Sequence, residues 1–147
     1  MLPAIDTDAL LTFLTGLLNT ASPTGYAEPA IAFTEAALQP FPGLTFHRTR
    51  KGALVVRWQG EADDAPRALT AHADTLGAMV KEIKPGGRLK LTMIGGYAWN
   101  AVEGEGCHVI TASGRRVRGS ILHVNASTHV HGKAMTDSPR SEDTMEV

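Results

Sequence analysis

His72 and Asp74 are the pair in this sequence whose types and spacing best suit chemistry. They stand two apart in "RALTAHADTLGAMVKEI", residues 67–83, where an apolar-flanked run reads as the end of a strand. On an extended chain such residues share a face, about 7 Å apart along the strand. A neutral imidazole can present a ring nitrogen to a metal ion, and a nearby carboxylate can accept a hydrogen bond and orient the site. A buried carboxylate without a partner is costly. Either the pair lies at the mouth of a sheet, where open α/β folds place their ligands, or the strand ends earlier and both are loop groups. Spacing alone leaves the bland reading, a polar strand end, ahead.

Other candidates are weaker. His129 and His131 in "THVHGK" could share a strand face, but with no third donor they read as exposed strand or loop residues. His108 and His123 read as cross-strand or edge residues of β pairs. Asp63 and Asp64 sit beside Pro66 in a turn and read as solvated. "KPGGR" lacks the strand-to-helix context of a phosphate loop and reads as a hairpin turn. Ser22 in "ASPTG" has no base nearby in sequence and reads as a turn former. Tyr97 and Trp99 read as packing of a β unit, with a subunit contact as the alternative.

The elements that must position His72 and Asp74 follow from periodicity. Leu10, Leu11, Phe13, Leu14, Leu17 and Leu18 recur at helical spacing, with Asp6 or Thr7 available as a cap. "ASPTGY" breaks that helix. A second follows in "YAEPAIAFTEAALQP", with Pro29 suited to its first turn. From residue 44 the period becomes two: "LTFHRTR", the more continuously apolar "ALVVRW", and "RALTAHAD" read as three strands, the second covered on both faces. Residues 76 to about 135 show no helix pattern. "AMVKEIK", "PGG" and "RLKLTMI" read as a hairpin, and "CHVITAS", "GR" and "RVRGSILHV" as another. The closing "MEV" reads as a strand beginning. The fold class is α/β: residues 1–75 as part of an α/β sandwich, then 76–147 as a small, barrel-like β unit. Both modules read as incomplete.

Composition excludes some classes. With 14 basic against 15 acidic residues the net charge is −1, which argues against nucleic acid. Arg48, Arg50, Lys51, Arg115, Arg116 and Arg118 read as solvated strand faces. Cys107 is the single cysteine, so no intramolecular disulfide can form; it reads as a small buried hydrophobe. There is no basic signal region and no apolar run long enough to span a membrane, so a cytoplasmic location is the default expectation.

The runs "TASPTGYAEPAIAF", "RKGALVV" and "RALTAHADTLGAMVKEIKPGGRLKLTMIGGYAWNAVEGEGCHVITASGRRVRGSIL" resemble the tetrahedral, glutamyl and deblocking aminopeptidase-like family of dinuclear metallopeptidases. The resemblance runs from about residue 20 to 147. Within the family the chain is similar to the branch associated with N-acetylglutaminylglutamine amide, on "ASPTGY" and "GGYAWNAVEGEG". The resemblance implies a zinc-peptidase-type α/β catalytic domain, interrupted after the H-x-D strand by a β-rich dimerisation insert running from near Leu76 past Val147. It implies that His72 is a metal ligand and that Asp74 supports the site from behind it. The bridging aspartate, the Glu–Glu pair with the general base, a further acidic ligand and a late histidine have no counterpart in this sequence. It further implies two divalent ions, zinc or cobalt, hydrolysis of N-terminal peptide bonds through metal-activated water, peptide substrates and a homo-oligomer, with no nucleic acid or membrane partner. The 147-residue chain alone is then expected to be inactive. The alternative reading is a non-catalytic truncated product, or a β-rich oligomerisation or binding module.

Overall fold

The computed structural model describes residues 4–62 and 64–147. The chain divides into two units, Met1–Thr75 and Leu76–Val147.

In the N-terminal unit, α1 (Thr7–Leu18) begins where the Asp6 carboxylate accepts from the Ala9 N–H at 3.0 Å. Helix α2 (Glu28–Leu38) carries Pro29 in its first turn, where a missing N–H costs nothing. The helices meet through Phe13 and Phe33, whose rings stack at 5.6 Å between centroids. Gly16 makes room for this, since a side chain there would run into the Phe33 ring. Strands β1 (Leu44–Arg48) and β2 (Leu54–Trp58) form an antiparallel hairpin in which Phe46 faces Val56 and Leu44 faces Trp58. Arg48 ties the hairpin to α2, with Nε donating to Glu35 at 2.8 Å and a second nitrogen to Glu28 at 3.3 Å. It is a paired, partly buried cation rather than a solvated strand residue.

Two expectations for this unit are corrected. β2 is not covered on both faces, since Val55 and Trp58 are exposed. "RALTAHAD" does not join the hairpin as a third strand. It forms no regular element, and just after it Thr75 makes an isolated parallel bridge with Pro23. A strand is defined by its partner, and the alternation of residues 67–74 cannot supply one. Leu69 is fully exposed as a result.

In the C-terminal unit, β3 (Gly77–Ile83), β4 (Leu89–Ile94), β7 (Leu122–His123) and β8 (Met145–Glu146) form an antiparallel sheet ordered β3-β4-β8-β7. β5 (Gly106–Ile110) and β6 (Arg116–Ser120) form a separate hairpin. No closed barrel forms among the described residues; the unit is a four-stranded sheet and a hairpin. The turn at Lys84–Arg88 is the expected hairpin turn, with Gly87 at φ 79°. β3 bulges between Val80 and Glu82.

The core of this unit is Leu91, Trp99 and Met145, flanked by Ala78, Met93, Tyr97, Val102, Ile121 and Val147. Trp99 meets Tyr97 edge to face at 5.7 Å, so these aromatics are core packing. Short helices break the all-β expectation: a 3₁₀ turn at Trp99–Ala101, α3 (Thr128–His131) and α4 (Lys133–Thr136). Elements of three or four residues are too short to leave a periodic signal.

Candidate functional site

The site is built on the turn that follows α1. Its Tyr26 N–H donates to Pro23 O at 2.7 Å, and Gly25, at φ 92°, takes the left-handed backbone that the third position of such a turn favours. The turn grips residues 73–75. Buried Ser22 donates its hydroxyl to Ala73 O at 2.6 Å, and the Thr75 N–H donates to Ser22 O at 2.8 Å. The Thr24 hydroxyl donates to Asp74 Oδ2, also at 2.6 Å.

His72 and Asp74 touch. The His72 Nδ1 lies 3.0 Å from Asp74 Oδ1 and 3.1 Å from Asp74 O. Both oxygens are acceptors, so Nδ1 carries a proton, and in the neutral ring the lone pair of Nε2 is then free. The imidazole is 83% exposed and the carboxylate 39%. The pair therefore stands at a surface rather than inside a sheet. The Thr24 hydroxyl, ahead of the hydrogen bond and charge of His72, holds the Asp74 carboxyl below its ordinary value, against partial desolvation. A carboxylate that accepts from Nδ1 is the arrangement that, once the ring is neutral, prepares an imidazole to bind a metal through Nε2.

These residues fit a metal ion as one ligand and its support. Among the described residues, no group of three His, Cys, Asp or Glu comes together that could hold one. His129 and His131 lie on α3, not on a strand. Two residues apart on a helix they point about 200° apart, so they cannot share an ion. His123 is buried on β7, accepting from the Asn125 N–H at Nδ1 and meeting Ser138 Oγ through Nε2 at 3.0 Å. His108 pairs across the β5–β6 hairpin with Arg118. Burial pushes the Cys107 thiol up, which makes it less reactive. Asp64 is exposed, and Asp63 lies outside the described residues. A cavity of about 300 Å³ in the C-terminal unit is lined by Arg88, His123, His131 and Glu146; Glu146 is already paired to Lys84 and Arg88 there. Among the described residues no helix is long and apolar enough to cross a membrane.

Ser22 and Thr24 are the site residues that sequence reasoning missed. Their signal was the pair of hydroxyls flanking Pro23, in a stretch read as a helix break with Ser22 as a turn former.

The fold and sequence are both related to known proteins. The chain superposes on the TET aminopeptidase of a marine sediment archaeon, Thaumarchaeota archaeon SCGC AB-539-E09, with a TM-score of 0.79 and 21% identity, over 97% of this chain and 38% of that one. At that identity the likeness concerns the fold. "Putative aminopeptidase YhfE" of Bacillus subtilis (strain 168) is 43% identical over 131 residues, which are 89% of this chain and 37% of that protein. The chain thus spans little more than a third of the length of these relatives. The family model for M42 glutamyl aminopeptidase matches residues 52–147, a stretch that includes His72 and Asp74, and by that match the chain belongs to the M42 glutamyl aminopeptidase family.

Proposed function

We propose that this chain carries part of the active site of a metal-dependent aminopeptidase that hydrolyses N-terminal peptide bonds, with His72 as a metal ligand and Asp74 as its support. One observation carries the reading: in an M42 chain, His72 Nδ1 lies 3.0 Å from the Asp74 carboxylate on an imidazole that is 83% exposed. The ions, two in number and zinc or cobalt, would polarise a peptide carbonyl and activate water when bound. His72 would hold one of them through Nε2. Asp74 would keep the ring oriented and its proton on Nδ1. The general base and remaining ligands belong to chain beyond these 147 residues. Residues 1–75 are read as catalytic-domain structure and 76–147 as a dimerisation-type insert in a homo-oligomer. Peptides are the proposed substrates, the proposed branch of the family is the one associated with the osmoprotectant N-acetylglutaminylglutamine amide, and the proposed location is cytoplasmic.

The test is His72→Ala in the protein isolated from its native source. One bound metal and most aminopeptidase activity should be lost with the far-UV spectrum unchanged. Full metal content and full activity would sink the ligand assignment. A second reading, a non-catalytic oligomerisation or binding module, is favoured by the lack of a three-donor group among the described residues. It predicts that the native product has a mass near 15.6 kDa and no peptidase activity with added zinc or cobalt.

A further inference from the structure

We propose that Thr24 is a positioning residue of this site: its hydroxyl fixes the Asp74 carboxylate so that the other carboxylate oxygen holds the His72 Nδ1 proton and Nε2 stays free. The inference rests on reading His72 as a metal ligand and adds a residue from a turn about 50 positions earlier in the chain.

The two carboxylate oxygens of Asp74 have separate partners. Oδ2 accepts from Thr24 at 2.6 Å, and Oδ1 faces His72 Nδ1 at 3.0 Å. A carboxylate as exposed as this one rotates freely unless something fixes it, because water can replace either contact. Thr24 supplies that fixing, and the backbone supplies its aim. Ser22 bonds to Ala73 O and to the Thr75 N–H, one residue to either side of Asp74, so the turn and the Asp74 segment are registered before any side chain acts. Gly25 then closes the turn with Thr24 directed at Oδ2. A free imidazole prefers its proton on Nε2, the nitrogen that must be bare to bind metal. The Asp74 carbonyl, 3.1 Å from Nδ1, favours the useful tautomer too, and holding the carboxylate adds the stronger, charged acceptor beside it.

The test is ¹⁵N NMR of the imidazole nitrogens in the metal-free 147-residue chain, at a pH where the ring is neutral, with His72→Asn to assign the signals. In the wild type, His72 should be mainly the Nδ1–H tautomer. Thr24→Val keeps the side-chain shape and removes the donor, and should shift the tautomer ratio roughly fivefold toward Nε2–H. Thr24→Ser should restore the wild-type ratio. Thr24 is exposed, so neither change disturbs a core. A wild-type ratio in Thr24→Val, or a valine-like ratio in Thr24→Ser, overturns the proposal. The metal content of His72→Ala in the protein isolated from its native source separates this from the underlying reading, since the 147-residue chain brings no three-donor group together among its described residues. Loss of one bound metal supports His72 as a ligand. Full metal content overturns the ligand reading and leaves the tautomer result to stand for a Thr24–Asp74–His72 chain without a metal.

Discussion

Ser22 and Thr24 lie side by side around Pro23 yet do different work. Ser22 is buried and holds backbone; Thr24 is exposed and holds a side chain. Replacing Ser22 with alanine leaves the Ala73 carbonyl without its donor, which should cost about 1–2 kcal/mol. The expected outcome is a lower urea midpoint for loss of the helical far-UV signal, and an unchanged midpoint would show that the Ser22 grip does not hold the segment. Gly25→Ala should cost about 1 kcal/mol in the same measurement, because φ 92° is a backbone that L side chains rarely adopt. A wild-type midpoint would mean the turn relaxes to accept alanine. That His72 and Asp74 meet was legible in their spacing, while a metal role for them was read only from the family resemblance. Thr24 was not legible, because a hydrogen bond across fifty residues leaves no local pattern, and the same hydroxyls look like ordinary turn chemistry.

Strand β8 shows at the element scale what two residues can be held by. Glu146 is buried between Lys84 at 2.7 Å and Arg88 at 2.5 Å. Just before it, Asp143 pairs with Lys90 at 2.6 Å, while Glu142 accepts from Thr92, from the Met93 N–H and from Lys81. The closing segment is thus clipped to the β3–β4 hairpin by carboxylates. The Thr92 hydrogen bond lowers the Glu142 carboxyl, and Lys90 lowers that of Asp143. Burial would raise the Glu146 carboxyl, but Lys84 and Arg88 outweigh it and leave it lowered. Lowered folded-state values stabilise the fold wherever the carboxylates are ionised in the unfolded chain. That stability should be complete above the ordinary values of 4.5 for glutamate and 3.8 for aspartate, and be lost as the pH falls through them and below. In Trp58→Phe, urea unfolding followed at the Trp99 emission should show a midpoint steady from pH 7 to 5 and falling toward pH 3. A midpoint flat to pH 3 would show that the clip contributes nothing. Hairpins β3–β4 and β5–β6 could be read from the sequence because glycine turns mark both ends of the alternation. β8 was only half legible, since its hold comes from cations some sixty residues away.

Each unit of the whole molecule holds one of the two tryptophans, and they report opposite surroundings. Trp58 in the N-terminal unit is 78% exposed, and Trp99 in the C-terminal unit is 7% exposed. The units differ in the same sense in their cores. Among the described residues, Ala30 is the one buried hydrophobic residue of the N-terminal unit, while Leu10, Leu11, Leu14 and Leu18 of α1 stay largely exposed. The C-terminal unit buries Leu91, Trp99 and Met145 together. Buried apolar area is the main favourable term in folding, so the N-terminal unit should be the weaker of the two. In Trp58→Phe, Trp99 becomes the sole tryptophan and its emission reports the C-terminal unit, while the far-UV helical signal is dominated by α1 and α2. The two transitions in urea should then separate, with the helical signal lost first and the Trp99 emission shifting to the red at higher concentration. Coincident transitions would mean that the units unfold as one body. The reverse order would mean that α1 and α2 are held by more than the contacts among residues 4–75. The sequence placed leucines on α1 without showing which were covered, because periodicity marks an apolar face but not what lies against it.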